Sequence, residues 1–191
     1  NEEVTLEKAI THPLLRGAEI TRFGKPEKGC IVIFPYSVSN EKATGLTLEQ
    51  LKQTCPKTVA YLAKNKPLLL KRSKVTEKDW WLYPYPKSLS FYGERKIISQ
   101  VLSQAGKFFD DQEGVYYFLG GGTAGGNAII LNSTDERLYK LVLGILNSSV
   151  TRLYVSSVGS AFRGGLYAFG KNSLSGLPLP DLQLEGEAAK E

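Results

Sequence analysis

The sequence predicts an α+β fold of mixed, mostly antiparallel strands, with a two-part helical segment near 47–65 and a long bent helix toward the C-terminus. Three observations lead there. Short apolar runs bounded by Gly, Pro and Asp read as strands, and Thr47-Leu48-Glu49-Gln50 and Ser133-Thr134-Asp135-Glu136 have capping-box spacing ahead of helically spaced apolar residues. The strands and helices also fail to alternate regularly, as a doubly wound sheet would require.

The elements follow in order. Gly29 to Tyr36 reads as a buried strand closed by Pro35. The first capping box opens a helix that Pro56 must break or restart before Val59-Ala60-Tyr61-Leu62. Arg95 to Leu102 and Val115 to Leu119 look like strands, with Gly106-Lys107-Phe108-Phe109 expected to pair with the latter across the turn at 110–114. Asn127 to Leu131 is a further strand. The second capping box starts a helix carrying Leu138, Leu141, Val142, Ile145, Leu146, Leu153 and Tyr154, bent near Asn147-Ser148-Ser149. Residues 1–180 are expected to form a single domain, and 181–191 an acidic tail or linker.

Composition narrows the function. The 191 residues are 42% hydrophobic, enough for a packed core, and no apolar run approaches the roughly 20 residues a bilayer span needs. The start lacks a secretory pattern and the chain has no Met, which reads as a segment of a longer protein. Cys30 and Cys55 supply no disulfide framework, so a reducing, cytoplasmic setting is expected. One histidine and two widely spaced cysteines cannot form a Cys/His zinc site, and a histidine-based triad would have to rest on His12 alone, which precedes Pro13 and reads as a plain surface residue.

The net charge of +5 is concentrated in the middle. Residues 41–110 carry thirteen basic and six acidic side chains, interleaved with Trp80, Trp81, Tyr83, Tyr85, Phe91 and Tyr92. Cations neutralise phosphates and flat rings stack on bases or pack on sugars, so this mixture suits a nucleic-acid surface; a solvated Lys-rich face over an aromatic core gives the same composition. Lys71, Arg72, Arg95 and Lys96 are the phosphate candidates, and Trp81 and Tyr83 the stacking candidates.

Three stretches could carry chemistry. The glycine run 120–126, with Gly121, Gly122 and Thr123, lets backbone N–H groups approach a phosphate or base edge; it leads into a strand, not a helix, which excludes a P-loop or dinucleotide fingerprint. In 162–171, Arg163 beside Gly164 could bind a guanine with two hydrogen bonds, and Lys171 is a second cation. Asp79, Glu94 and Lys96 have the spacing of a Mg²⁺-dependent nuclease, an alternative that would make the chain itself an enzyme.

The order Leu15-Arg16-Gly17-Ala18-Glu19-Ile20, Ile33-Phe34-Pro35-Tyr36, Tyr61-Leu62, Trp81, Arg95-Lys96-Ile97-Ile98, Tyr116-Tyr117-Phe118 before Gly120-Gly121-Gly122-Thr123, Leu146-Asn147-Ser148, the 162–171 block, Leu174 and Leu177-Pro178-Leu179-Pro180 resembles one family. It is similar to the TaqI-like C-terminal specificity domain, the target-recognition part of adenine-N6 DNA methyltransferases and of fused type IIG restriction–modification enzymes. The resemblance spans about residues 14 to 180. It implies a module that grips double-stranded DNA beside an N-terminal methyltransferase domain using S-adenosylmethionine, with no cofactor bound by this chain. The Asn/Asp-Pro-Pro-Tyr/Phe catalytic string of such methyltransferases does not occur here; Tyr83-Pro84-Tyr85-Pro86 lacks the amide.

Overall fold

The computed structural model describes residues 3–27, 29–118, 120 and 125–180. In chain order the elements are β1 (Thr11–Leu15), β2 (Cys30–Ile33), β3 (Tyr36–Ser39), β4 (Lys42–Gly45), α1 (Leu48–Thr54), α2 (Pro56–Lys64), α3 (Lys66–Leu69), β5 (Lys96–Gln100), β6 (Leu102–Ser103), β7 (Phe108–Asp111), β8 (Tyr117–Phe118), β9 (Gly126–Ile129), α4 (Glu136–Leu146), α5 (Ser149–Val158), β10 (Ala161–Phe162), β11 (Leu166–Ala168) and α6 (Lys171–Leu174). The fold is α+β, and every strand ladder is antiparallel where its register is defined. Two compact units emerge, one from 3–14, 29–94 and 113–117, the other from 15–27, 95–112 and the described residues from 118 onward.

In the first unit, Pro35 divides the expected 29–36 strand. Residues 30–33 pair with β1, and Tyr36 begins a hairpin with β4 across Asn40-Glu41, both with positive φ, the twist that a two-residue hairpin turn favours. Thr47 caps α1 in a reciprocal box with Gln50. Pro56 then serves as the first residue of α2, where its missing N–H costs nothing. The next two amides are taken by Glu7, whose carboxylate accepts from Lys57 N and Thr58 N at 2.8 Å each and from the Thr58 hydroxyl at 2.6 Å. Phe34, Tyr36, Leu89 and Tyr117 form one small core, and Ile10, Leu51 and Cys55 another. His12 stacks on Tyr117 at 4.1 Å, an aromatic wall position that gives it a packing role.

The second unit is built on the sheet β7-β5-β9. Ile97 and Phe108 from the sheet, Tyr139, Val142 and Leu146 from α4, Val155 from α5, and Phe169 make its core. The expected pairing of Gly106–Phe109 with the 115–119 strand is corrected here: β7 pairs with β5, Lys96 opposite Asp111 and Ile97 opposite Asp110, while β8 joins the β2-β1-β8 sheet. Asp110 and Asp111 lie in the strand, not in the turn, because the cations at 95 and 96 hold them there. The helix start also differs. Asp135 caps α4 by accepting from Arg137 N, and Ser133 instead accepts from Asp135 N, so the helix begins at Glu136.

The two helices α4 and α5 meet at 58°, the bend expected at 147–149. Asn147 explains it. Its amide accepts from Phe108 N at 3.1 Å and donates to Phe108 O at 2.9 Å, completing the backbone bonding of β7 as another strand would. Ser148 then caps α5 through Thr151 N. Among the described residues no single helix is long and apolar enough to cross a membrane. Val101 interrupts the expected 95–102 strand, and Leu102–Ser103 pairs with β11 in a separate small sheet, β10-β11-β6.

Candidate nucleic-acid interface

Three of the four phosphate candidates in the basic middle, Arg72, Arg95 and Lys96, are bonded internally. Arg72 donates through Nε to Leu69 O at 2.9 Å and through Nη2 to Trp80 O at 2.6 Å, tying together the ends of the 69–80 loop. Trp81 donates its indole N–H to Leu46 O at 2.8 Å and packs on the Ile10, Leu51 and Cys55 core. Tyr83 donates its hydroxyl to Ile33 O at 2.5 Å, and burial pushes its pKa well above the ordinary tyrosine range. Both rings are therefore braces of the first unit. Lys71 stands exposed at the start of the loop.

Arg95 and Lys96 are committed to carboxylates in the second unit. The Lys96 ammonium, 1% exposed, lies 2.8 Å from Asp111. Arg95 reaches Asp110 at 2.7 Å and also Glu136, with its guanidinium 3.7 Å above the Tyr139 ring. Hydrogen bonding to Asp110 is the main reason its pKa rises. Such a network fixes the β5–β7 register and leaves these two cations facing inward.

Two of the three nuclease candidates are similarly spoken for. Asp79 accepts from Thr76 N at 2.7 Å and the Thr76 hydroxyl at 2.8 Å, bonds that depress its pKa and close a turn. Glu94 is exposed, and Lys96 holds Asp111. Among the described residues no group of three or more His, Cys, Asp or Glu side chains could hold a metal ion.

The 162–171 block differs. Phe162 pairs with Leu166, so Arg163-Gly164-Gly165 forms a three-residue hairpin tip between β10 and β11. Gly164 and Gly165 have φ of 85° and 70°, the left-handed region that glycine tolerates without strain, and an added Cβ at either would meet nothing within 4 Å. Gln104 donates to Gly164 O at 3.1 Å, steadying the tip, and Arg163 itself is exposed. Lys171, also exposed, opens α6 just after Phe169, which anchors the block in the core. Gly121, Gly122 and Thr123 lie outside the described residues, while Gly120 is described and exposed.

No protein-family model matches the chain. It is, however, 25% identical over 205 aligned residues to the type II restriction enzyme and methyltransferase RM.Eco57I of Escherichia coli. The alignment takes in 99% of this chain and 20% of the relative, so the chain spans about one fifth of that protein's length. This similarity supports a relation to restriction–modification enzymes.

Within the basic and aromatic mixture of residues 41–110, one surface pair that the sequence does not single out comes together. Lys74 Nζ sits 4.6 Å from the centroid of the Tyr85 ring, and that ring is 56% exposed. The prolines on both sides of Tyr85 were the available signal, since they stiffen the backbone around an aromatic residue.

Proposed function

We propose that this chain is a sequence-specific recognition module for double-stranded DNA, of the TaqI-like specificity type, in a type IIG restriction–modification enzyme. Residues 1–180 act as one target-recognition domain and orient DNA for adenine-N6 methylation. The methylation belongs to a separate methyltransferase part that uses S-adenosylmethionine; these residues select and do not catalyse.

The observation that carries this reading is the exposed Arg163 on its double-glycine tip. A narrow turn in which two of three residues lack a Cβ can enter a groove, and a guanidinium there matches O6 and N7 of guanine. Lys71 and Lys171, both exposed, supply phosphate contacts that set register. Arg72, Arg95 and Lys96 support the surface from within instead of touching DNA. The likeness to a protein named as both restriction enzyme and methyltransferase favours the same assignment.

Arg163→Ala tests it. Binding to the cognate site should fall by about 1–3 kcal/mol while binding to scrambled duplex stays nearly unchanged. Equal losses on both DNAs would remove Arg163 from base reading.

A further inference from the structure

We infer that Lys74 and Tyr85 form a second, sequence-independent DNA contact on the first unit, in which the Lys74 ammonium meets a phosphate and the Tyr85 ring packs on the neighbouring deoxyribose. The inference rests on the duplex-DNA reading above but uses residues that reading does not need.

An exposed aromatic ring ordinarily keeps its rotamer freedom, and ordering it on binding costs affinity. Tyr85 is exposed yet already held. Lys74 covers one face of the ring, and the Tyr85 hydroxyl lies 3.5 Å from Ser73 Oγ. Pro84 and Pro86 restrict the backbone on both sides. Lys74 adopts φ 61°, a left-handed conformation uncommon for a residue with a side chain. The 69–80 loop that carries Lys74 is cross-tied by Arg72 to Leu69 O and Trp80 O and by Asp79 to Thr76. The ring, more than half exposed, thus stands ready beside an exposed cation.

The charge around the pair suits a polyanion. Lys71, Lys78 and Lys87 are exposed on the same segment. Of its two acids, Glu77 is paired with Lys66 and Asp79 is bonded to Thr76. In a duplex the faces of the bases are hidden by stacking, so an aromatic side chain reaches sugars, and the adjacent ammonium reaches the phosphate between them.

The test measures affinity of the full chain for a cognate duplex, a random duplex and the random duplex bearing one bulged nucleotide, across a salt series. Lys74→Gln and Tyr85→Leu should each weaken all three complexes alike, roughly three- to tenfold, and only Lys74→Gln should make the log affinity versus log salt slope shallower, by about 0.9. Tyr85→Phe, which keeps the ring under Lys74 and loses only the hydroxyl near Ser73, should retain most of the affinity that Tyr85→Leu loses. Thermal midpoints of all variants should stay unchanged, since both side chains are at the surface. Unchanged affinity in the Lys74 and Tyr85 variants, with Arg163→Ala still costing cognate binding, would overturn this inference and leave the recognition reading standing. Loss confined to the bulged DNA would make Tyr85 a base platform and overturn the backbone contact. A lowered midpoint would show the pair serving the fold instead of DNA. If wild type bound no duplex at any salt, the recognition reading itself would fall and take this contact with it.

Discussion

Arg95-Lys96 and the pair Arg163 with Lys171 bring the same two cations to the same unit, and the fold employs them oppositely. The first two are drawn inward by Asp110, Asp111 and Glu136, whereas the second two stand exposed on a hairpin tip and a short helix. The difference lies in what stands across the ladder. Lys96 faces Asp111 in register, and Ile97 faces Asp110; Arg163 sits in a turn and has no residue opposite it. A cation is available to a ligand only where the neighbouring strand has not already supplied its anion. Local charge density in the sequence does not measure this.

The comparison breaks most visibly at Asp111. Asp111→Ala removes the carboxylate 2.8 Å from the Lys96 ammonium at a site where both side chains are at most 2% exposed, and stability should drop by about 3–5 kcal/mol, read from the urea midpoint. A replacement of both partners by Met and Leu should recover most of that loss, because the cost is that of an unpaired buried charge. A drop below about 1 kcal/mol in the single variant would mean that Lys96 has found water or another anion, and the inward assignment would fail.

Asp110→Asn probes the same network where it approaches solvent. Arg95 keeps Glu136, which is 56% exposed, and keeps its place over the Tyr139 ring, so the expected loss is smaller, about 1–2 kcal/mol. The ordering of the two variants is the sharper result. If Asp110→Asn cost more than Asp111→Ala, the partly exposed pair and not the buried one would be holding β5 to β7.

Much of this architecture was legible in the sequence, and the failures have physical causes. The helical segments, their break at Pro56 and the bend at 147–149 could be read because capping, proline geometry and apolar periodicity are local. Strand partners could not. Phe108 and Phe109 suit either neighbour by propensity, and the choice of β5 is made by ion pairs and by Asn147, whose amide bonds both backbone groups of a residue 39 positions away. The site was half legible for the same reason. The two glycines after Arg163 announced an open turn, but nothing within residues 90–100 announced that Arg95 and Lys96 would be neutralised from 110, 111 and 136. Likewise, Trp81 and Tyr83 share a composition with stacking platforms until their polar atoms are seen to bond Leu46 O and Ile33 O.

On the exposed side of the comparison, Gly164→Ala is the corresponding test. The added methyl meets nothing within 4 Å, so its cost comes only from holding a residue with a Cβ at φ 85°, about 1 kcal/mol of stability. Thermal melting would measure that, and cognate DNA binding should weaken as the Arg163 tip shifts. A loss as large as that of Asp111→Ala would show that the tip is packed, contrary to a turn open to a groove.

The smallest effect concerns an anion committed in the way Lys96 is committed as a cation. Burial alone would raise the pKa of Glu7, but the Thr58 hydroxyl and the amides of Lys57 and Thr58 outweigh it and bring the value to about 2. Because the folded value lies below the ordinary 4.5, the unfolded chain binds this proton first as the solution is acidified. The carboxylate therefore contributes its full share of stability above pH 4.5, and that share disappears as the pH falls toward about 2. Glu7→Gln cannot accept from the α2 amides with both side-chain atoms, so it should be less stable than wild type at neutral pH, with the gap closing through that acidic window in urea titrations at stepped pH. A gap that stayed constant from pH 6 to about 2 would mean that the charge is irrelevant and that Glu7 holds α2 by shape and neutral hydrogen bonding alone.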